Sequence, residues 1–190
     1  MMRSKPLKIL IGACGSSNVL NLHNYLIHFR NISDSINVIM TKSASNMIQS
    51  RSIEIIVGNT VYTDNFSSNL PVSHINLARW ADLFIVIPAT ANIIGKVANG
   101  IADDLLSTTL LAAKSPVFFV PSMNRDMWSK PSVQRNIRTL DKDGFYFIFP
   151  REAQKAFEVS SGNLIITELM PSPEEIVETI GKIVRFSPMN

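Results

Sequence analysis

The sequence predicts an α/β fold, a single doubly wound parallel sheet of the Rossmann-like (flavodoxin-like) kind, across all 190 residues. Three observations predict it. Short apolar runs alternate with stretches of helical spacing along most of the chain, the pattern of a parallel sheet with helices on both faces. Two of the runs, Leu83–Ile87 and Val117–Val120, are apolar without a break, as strands covered on both faces must be. Each run meets a proline, Pro88 or Pro121, which reads as the end of the strand.

Leu7–Ile11 is the first strand and Gly12 closes it. From Ser16 to Phe29 the apolar residues Val19, Leu22, Tyr25, Leu26 and Phe29 keep a helical interval. Ile36–Met40 is the second strand, and Met47–Ile56 opens as helix but is ambiguous beyond that. His74–Ala81 is short and amphipathic. Ala91–Asn99 and Asp103–Ala113 are helical, interrupted near Gly100. Ser132–Leu140 is a helix, Phe145–Phe149 a strand, and Pro173–Val184 a closing helix with Ser172 as its N-cap. Residues 63–72 form the clearest loop, and 150–163 is a second polar stretch, expected to be mobile.

Composition narrows the function. Hydrophobic residues at 46% and charged residues at 17% favour a packed core over disorder. The net charge of +3 comes without a Lys/Arg run or a basic stripe interleaved with aromatics, which argues against a nucleic-acid partner. One cysteine, Cys14, rules out an internal disulfide and a cysteine-rich metal site, so no metal is expected. The apolar run at the start is too short for a signal peptide or a membrane span, so the expected location is the cytoplasm.

Ligands of such sheets sit beyond the carboxyl ends of the strands, so the segments after each strand are the place to look. After the first strand comes Gly12-Ala13-Cys14-Gly15-Ser16-Ser17-Asn18. Its glycines let backbone approach a ligand, and Ser16 and Ser17 sit where free N–H groups favour an anion, a reading preferred here to a plain tight turn with a serine cap. The segment lacks the Gly-Lys-Ser/Thr ending of a Walker loop, and Asn18 occupies the third glycine place of a dinucleotide fingerprint. After the second strand, Thr41-Lys42-Ser43 stands where that fingerprint expects an acidic residue. Hydroxyls and a cation suit a phosphate or a ribityl chain, or simply an exposed N-cap. After the third apolar run, Pro88-Ala89-Thr90-Ala91-Asn92-Ile93 combines small residues, against which a flat ring can lie, with the hydrogen-bonding groups of Thr90 and Asn92. After the fourth, Pro121 to Trp128 carries Ser122 and Asn124, and Met127 and Trp128 either wall a pocket or fill core.

The last two segments together resemble the signature motifs of the homo-oligomeric flavin-containing cysteine decarboxylases. That family's Pro-Ala-Ser-Ala-Asn-Thr reads here Pro-Ala-Thr-Ala-Asn-Ile, and its Pro-x-Met-Asn-x-x-Met-Trp is met in full at 121–128. Asn99-Gly100-Ile101-Ala102-Asp103-Asp104-Leu105 is similar too, and the resemblance runs over about 7–162. It implies one flavoprotein domain over 1–190 and a flavin, FMN or FAD, held by Gly15, Ser16, Ser17, Thr41, Lys42, Ser43, Thr90, Ala91, Asn92, Ile93 and Ser122. It implies His74 as the catalytic base and Asn124 as the group that grips the substrate carboxylate. His23 and His28 match nothing in it.

The same resemblance implies a substrate flap at 150–163. Substrate contacts are then expected from Asn124, Met127, Phe157, Ser160, Ser161 and Gly162. One branch of the family acts on phosphopantothenoylcysteine and carries a flap cysteine just before the glycine. The other acts on the C-terminal cysteine of a lantibiotic-type precursor peptide, as for epidermin and mersacidin. Here Ser161 stands at the cysteine's place, and Phe157-Glu158-Val159-Ser160-Ser161-Gly162 resembles the peptide branch. The implied partners are a precursor peptide ending in cysteine and copies of the chain itself, as a trimer or a dodecamer of four trimers. The helix from Leu105 to Ala113 would serve as interface or as core. A flavin prenyltransferase and a regulatory binding protein on the same scaffold fit less well, since the second motif and His74 are intact.

Overall fold

The computed structural model describes residues 7–63, 74–149, 154–158, 163–167 and 170–184. Six parallel strands form one sheet: β1 (Lys8–Ala13), β2 (Ser35–Met40), β3 (Val61–Thr63), β4 (Leu83–Ala89), β5 (Val117–Pro121) and β6 (Tyr146–Phe147). Their order is β3-β2-β1-β4-β5-β6, that of a Rossmann-type doubly wound sheet. The chain reverses its direction of winding between β1 and β4, which leaves a crevice at their carboxyl ends.

Alternation along the strands divides the core. Ile9, Ile11, Leu83, Ile85 and Ile87 face one side, beneath α1 (Leu22–Phe29), α3 (Ser50–Val57) and α9 (Pro173–Ile183). Leu10, Phe84, Val86 and Phe119 face the other, beneath α4 (His74–Trp80), α5 (Ala91–Ala98), α6 (Leu105–Ala112) and α8 (Pro131–Lys142). Successive side chains of a strand point to opposite faces, so only strands apolar at every position can serve two helical layers. Every residue of β4 is buried accordingly. Two one-turn helices, α2 (Lys42–Ser45) and α7 (Arg125–Trp128), follow β2 and β5 directly.

The fold departs from the sequence reading at several ends. Pro121 is the last residue of β5, as expected, but Pro88 does not end β4. Pro88 lacks an N–H but its carbonyl accepts from Cys14 N at 3.2 Å, and Ala89 pairs with Pro121 after a register shift. Ser16–Phe29 divides into a 3-10 turn, Ser17–Asn21, and α1, and the ambiguous Met47–Ile56 becomes α3 from Ser50. The strand at Phe145–Phe149 shortens to two residues. The polar 150–163 stretch carries a strand, β7 (Gln154–Glu158), antiparallel to β8 (Asn163–Thr167). β3 was missed: three residues after the left-handed Gly58 that ends α3 show too little alternation to read. Ser172 caps α9 as expected, through a capping box with Glu175. Among the described residues no helix is long and apolar enough to cross a membrane.

Candidate active site

Three of the expected loops meet at the carboxyl end of the sheet around one cavity of about 510 Å³, within the usual range for a small-molecule site. Gly15 comes from the loop after β1. Thr41, Lys42 and Ser43 come from the turn after β2, and Thr90, Ala91, Asn92 and Ile93 from the turn after β4. Met127 of α7 adds an apolar wall and is 44% exposed. The cavity straddles the β1/β4 switch point, where the sheet topology places ligands.

The local sequence builds each part. Thr41 caps α2 by accepting from Ala44 N at 3.3 Å, and Thr90 caps α5 by accepting from Ile93 N at 3.4 Å. Both hydroxyls therefore serve their helices first. Gly15 has a packing role besides lining the cavity: a β-carbon there would collide with the side chain and backbone of Ser43. Glycine is needed so that the first and second loops can touch. Gly12 lies inside β1, where a β-carbon would press into Leu106.

Three lining residues escaped the sequence reading of the site. Cys14 is buried in the cavity floor, and burial pushes its thiol up to about 12, with the charge of Asp104 adding to this and the hydrogen bonds of Thr90 and the charge of Lys96 opposing it. It is therefore a neutral thiol near neutral pH and no nucleophile. Lys96 Nζ donates to Asp103 Oδ1 at 2.6 Å and to Asp104 Oδ2 at 2.7 Å. Burial alone would raise the Asp104 carboxyl, but hydrogen bonds from Lys96 and Ser107 and the Lys96 charge hold it below the usual carboxylate range. Asp104 also caps α6, accepting from Ser107 N at 2.7 Å. Asp104-Leu105-Leu106-Ser107, a cap ahead of an apolar helix, was the available signal. With Lys96 neutralised, Lys42 is the cation of the cavity wall without an ion pair among the described residues.

Other expected residues lie elsewhere. Ser16 Oγ is 2.6 Å from Ser122 Oγ, which accepts from Asn18 Nδ2 at 2.9 Å, so the loops after β1 and β5 are tied over the end of β4. Ser17 is exposed at the start of the 3-10 turn. Asn124 is exposed and caps α7, its Oδ1 accepting from Met127 N at 2.8 Å. Trp128 packs edge-on to Phe149, centroids 5.4 Å apart, beside the core under α8. His74 is half-buried at the first residue of α4 and outside the cavity wall. Because α4 leads back to the amino end of β4 within two residues, its own start lies toward the carboxyl ends of the strands. It packs against α6, on the same side of the sheet as α5. Phe157 is in β7, and Ser160, Ser161 and Gly162 lie outside the described residues.

The family model described as Flavoprotein matches residues 2–185. The chain belongs to that family. Mersacidin decarboxylase of Bacillus sp. (strain HIL-Y85/54728) is 38% identical to this flavoprotein over 178 residues, 94% of this chain and 91% of its own. The coenzyme A biosynthesis bifunctional protein CoaBC of Bacillus subtilis (strain 168) is 47% identical over 151 residues, which is 78% of this chain but 36% of that protein. Among solved structures, the peptidyl-cysteine decarboxylase EpiD, in a variant complexed with the substrate peptide DSYTC, matches with a TM-score of 0.85 at 31% identity, over 93% of this chain and 99% of that one. A further neighbour, SpaF, is named an FMN-dependent cysteine decarboxylase and matches with a TM-score of 0.70 at 36% identity, over 83% of this chain and 89% of its own.

The residues present fit a flavin. The wall of Gly15, Ser43 and Ala91 carries no bulky side chain, as a flat ring requires, and Lys42 offers a charge to a phosphate.

Proposed function

We propose that this flavoprotein oxidatively decarboxylates the C-terminal cysteine of a ribosomal, lantibiotic-type precursor peptide. The observation that carries the reading is the near end-to-end match to peptidyl-cysteine decarboxylase EpiD in complex with a peptide ending in cysteine. FMN is the flavin that we assign, following SpaF.

A cysteine carboxylate does not lose CO2 readily, because the electron pair left behind has no sink. Bound flavin supplies a two-electron acceptor for a hydride from the cysteine Cβ. His74 takes the thiol proton, and an imidazole can hold and return a proton near neutral pH. Loss of hydride and proton leaves a thioaldehyde β to the carboxylate. It accepts the electron pair as the bond to CO2 breaks, and the product is an enethiol. Asn124 holds the carboxylate with Nδ2, since its Oδ1 is taken by the α7 cap. A neutral donor suits this role, because a cation would stabilise the ground-state anion and oppose its loss. Met127 offers the peptide an apolar contact, and 150–163, with Phe157, Ser160, Ser161 and Gly162, closes over it.

The same reading places the enzyme in the cytoplasm as a trimer or a dodecamer of four trimers. Exposed Ile75, Ile101 and Leu111 supply apolar surface for such contacts, while Leu106 and Leu110 of α6 are core.

The test has two steps. The purified protein should be yellow and release FMN on extraction, and a colourless, cofactor-replete preparation would remove the reading. Incubation with a peptide ending in cysteine should then shorten it by CO2 and two hydrogens. The identity with CoaBC favours a second reading, decarboxylation of phosphopantothenoylcysteine. Turnover of that compound, with the peptide left intact, would select it. Ser161→Cys probes the same choice, although one substitution need not convert the product.

A further inference from the structure

Asn18 has no part in the reading so far, yet its amide donates into a bonded pair of hydroxyls and takes neither of their protons. Ser16 Oγ and Ser122 Oγ are 2.6 Å apart, and Ser122 is 8% exposed. Asn18 Nδ2 donates to Ser122 Oγ at 2.9 Å, and Asn18 N donates to Ser16 Oγ at 3.4 Å. The two hydroxyls carry two protons, and one is consumed in the bond between them. Ser122 already accepts from the amide and so does not spend its proton there. Whichever serine donates to the other, one O–H is left without an acceptor among the described residues. With an acceptor in place of Nδ2, the chain would reverse: Ser122 would donate to residue 18, Ser16 would donate to Ser122, and no proton would remain.

We propose that Asn18 is a positioning residue that holds the Ser16–Ser122 pair as a donor toward the phosphate of the flavin. The inference rests on the flavin reading above. Gly15, directly before Ser16, lines the cavity, and Lys42, without an ion pair among the described residues, carries its charge across from that loop. A left-over O–H beside a cation suits an anionic oxygen.

Asn18→Asp tests this with nearly the same shape, since a carboxylate can only accept. The full chain, stripped of flavin, is titrated with FMN and with riboflavin, which lacks the phosphate, by quenching of flavin fluorescence. Asn18→Asp should weaken FMN binding roughly 10- to 100-fold, the range for a hydrogen bond to a charged group, and leave riboflavin within about 3-fold. The added charge is separated by repeating the substitution in a Ser16→Ala/Ser122→Ala background, where no relay exists. There Asn18→Asp should cost FMN binding about 10-fold less than in the native background. Equal costs in the two backgrounds, or equal losses for FMN and riboflavin, would overturn the proposal. Wild-type protein that binds neither flavin would overturn the flavin reading itself, and one that binds both equally would overturn only the phosphate as the relay's target.

Discussion

Two cavities of similar size, about 510 and 420 Å³, lie on this molecule and have opposite characters. The first opens where the sheet changes winding direction, at helix amino ends, among small residues and a lysine, Lys42, without an ion pair among the described residues. The second lies at the carboxyl end of α3, lined by Arg51, Glu54, Ile55, Gly58, Asn59 and Thr60. Its charges satisfy each other, Arg51 to Glu54 at 3.1 Å, and Arg51 is 80% exposed. Volume is therefore a poor guide to function here. The positions of strand ends, and of charges without an ion pair among the described residues, separate the two.

The largest expected effect belongs to the first cavity's neighbourhood. His74→Asn should lower peptide turnover by at least about 100-fold while flavin stays bound, measured by peptide mass loss beside the flavin spectrum. Undiminished turnover would take His74 out of the mechanism.

Lys96→Met comes next. It strips Asp103 and Asp104 of their cation and should cost roughly 2–3 kcal/mol of stability, less than for a fully buried pair. The pH dependence has a definite sign. A carboxyl held low when folded contributes stability above its unfolded value and loses it as pH falls through the folded one. Without Lys96, burial raises Asp104, so acid unfolding should begin at higher pH, read from melting temperature against pH.

Gly15→Ala forces the first two loops apart. It should destabilise by about 1–3 kcal/mol and weaken flavin binding with it. A variant of normal stability and affinity would show that these loops need not touch. The smallest effect sharpens the contrast: Ile55→Ser, in the second cavity at 73% exposure, should change stability by less than about 0.5 kcal/mol and leave flavin binding alone.

Legibility in the sequence followed length and regularity. The buried runs of β4 and β5 read directly, because strands covered on two faces cannot carry polar residues. The Ser172 cap ahead of α9 read directly too, since capping is local chemistry. β3 did not, since three edge residues carry little pattern. Pro121 marked the end of β5, but Pro88 misled, because its effect on β4 depends on what its carbonyl and its neighbour Ala89 meet in adjacent strands. At the site, the turns after β1, β2 and β4 were legible as a group. Cys14, Lys96 and Asp104 were not, because their roles arise from contacts between α5, α6 and the β1 loop.

By itself, the sequence determined the doubly wound α/β class, the loops to watch and the family resemblance, because apolar period and short motifs are properties of consecutive residues. Only the tertiary structure decided which loops share a cavity, that Lys96 is paired with Asp103 and Asp104, and that Ser16, Asn18 and Ser122 meet. Those outcomes depend on distances between residues as far as 106 positions apart, and the folded backbone alone sets such distances.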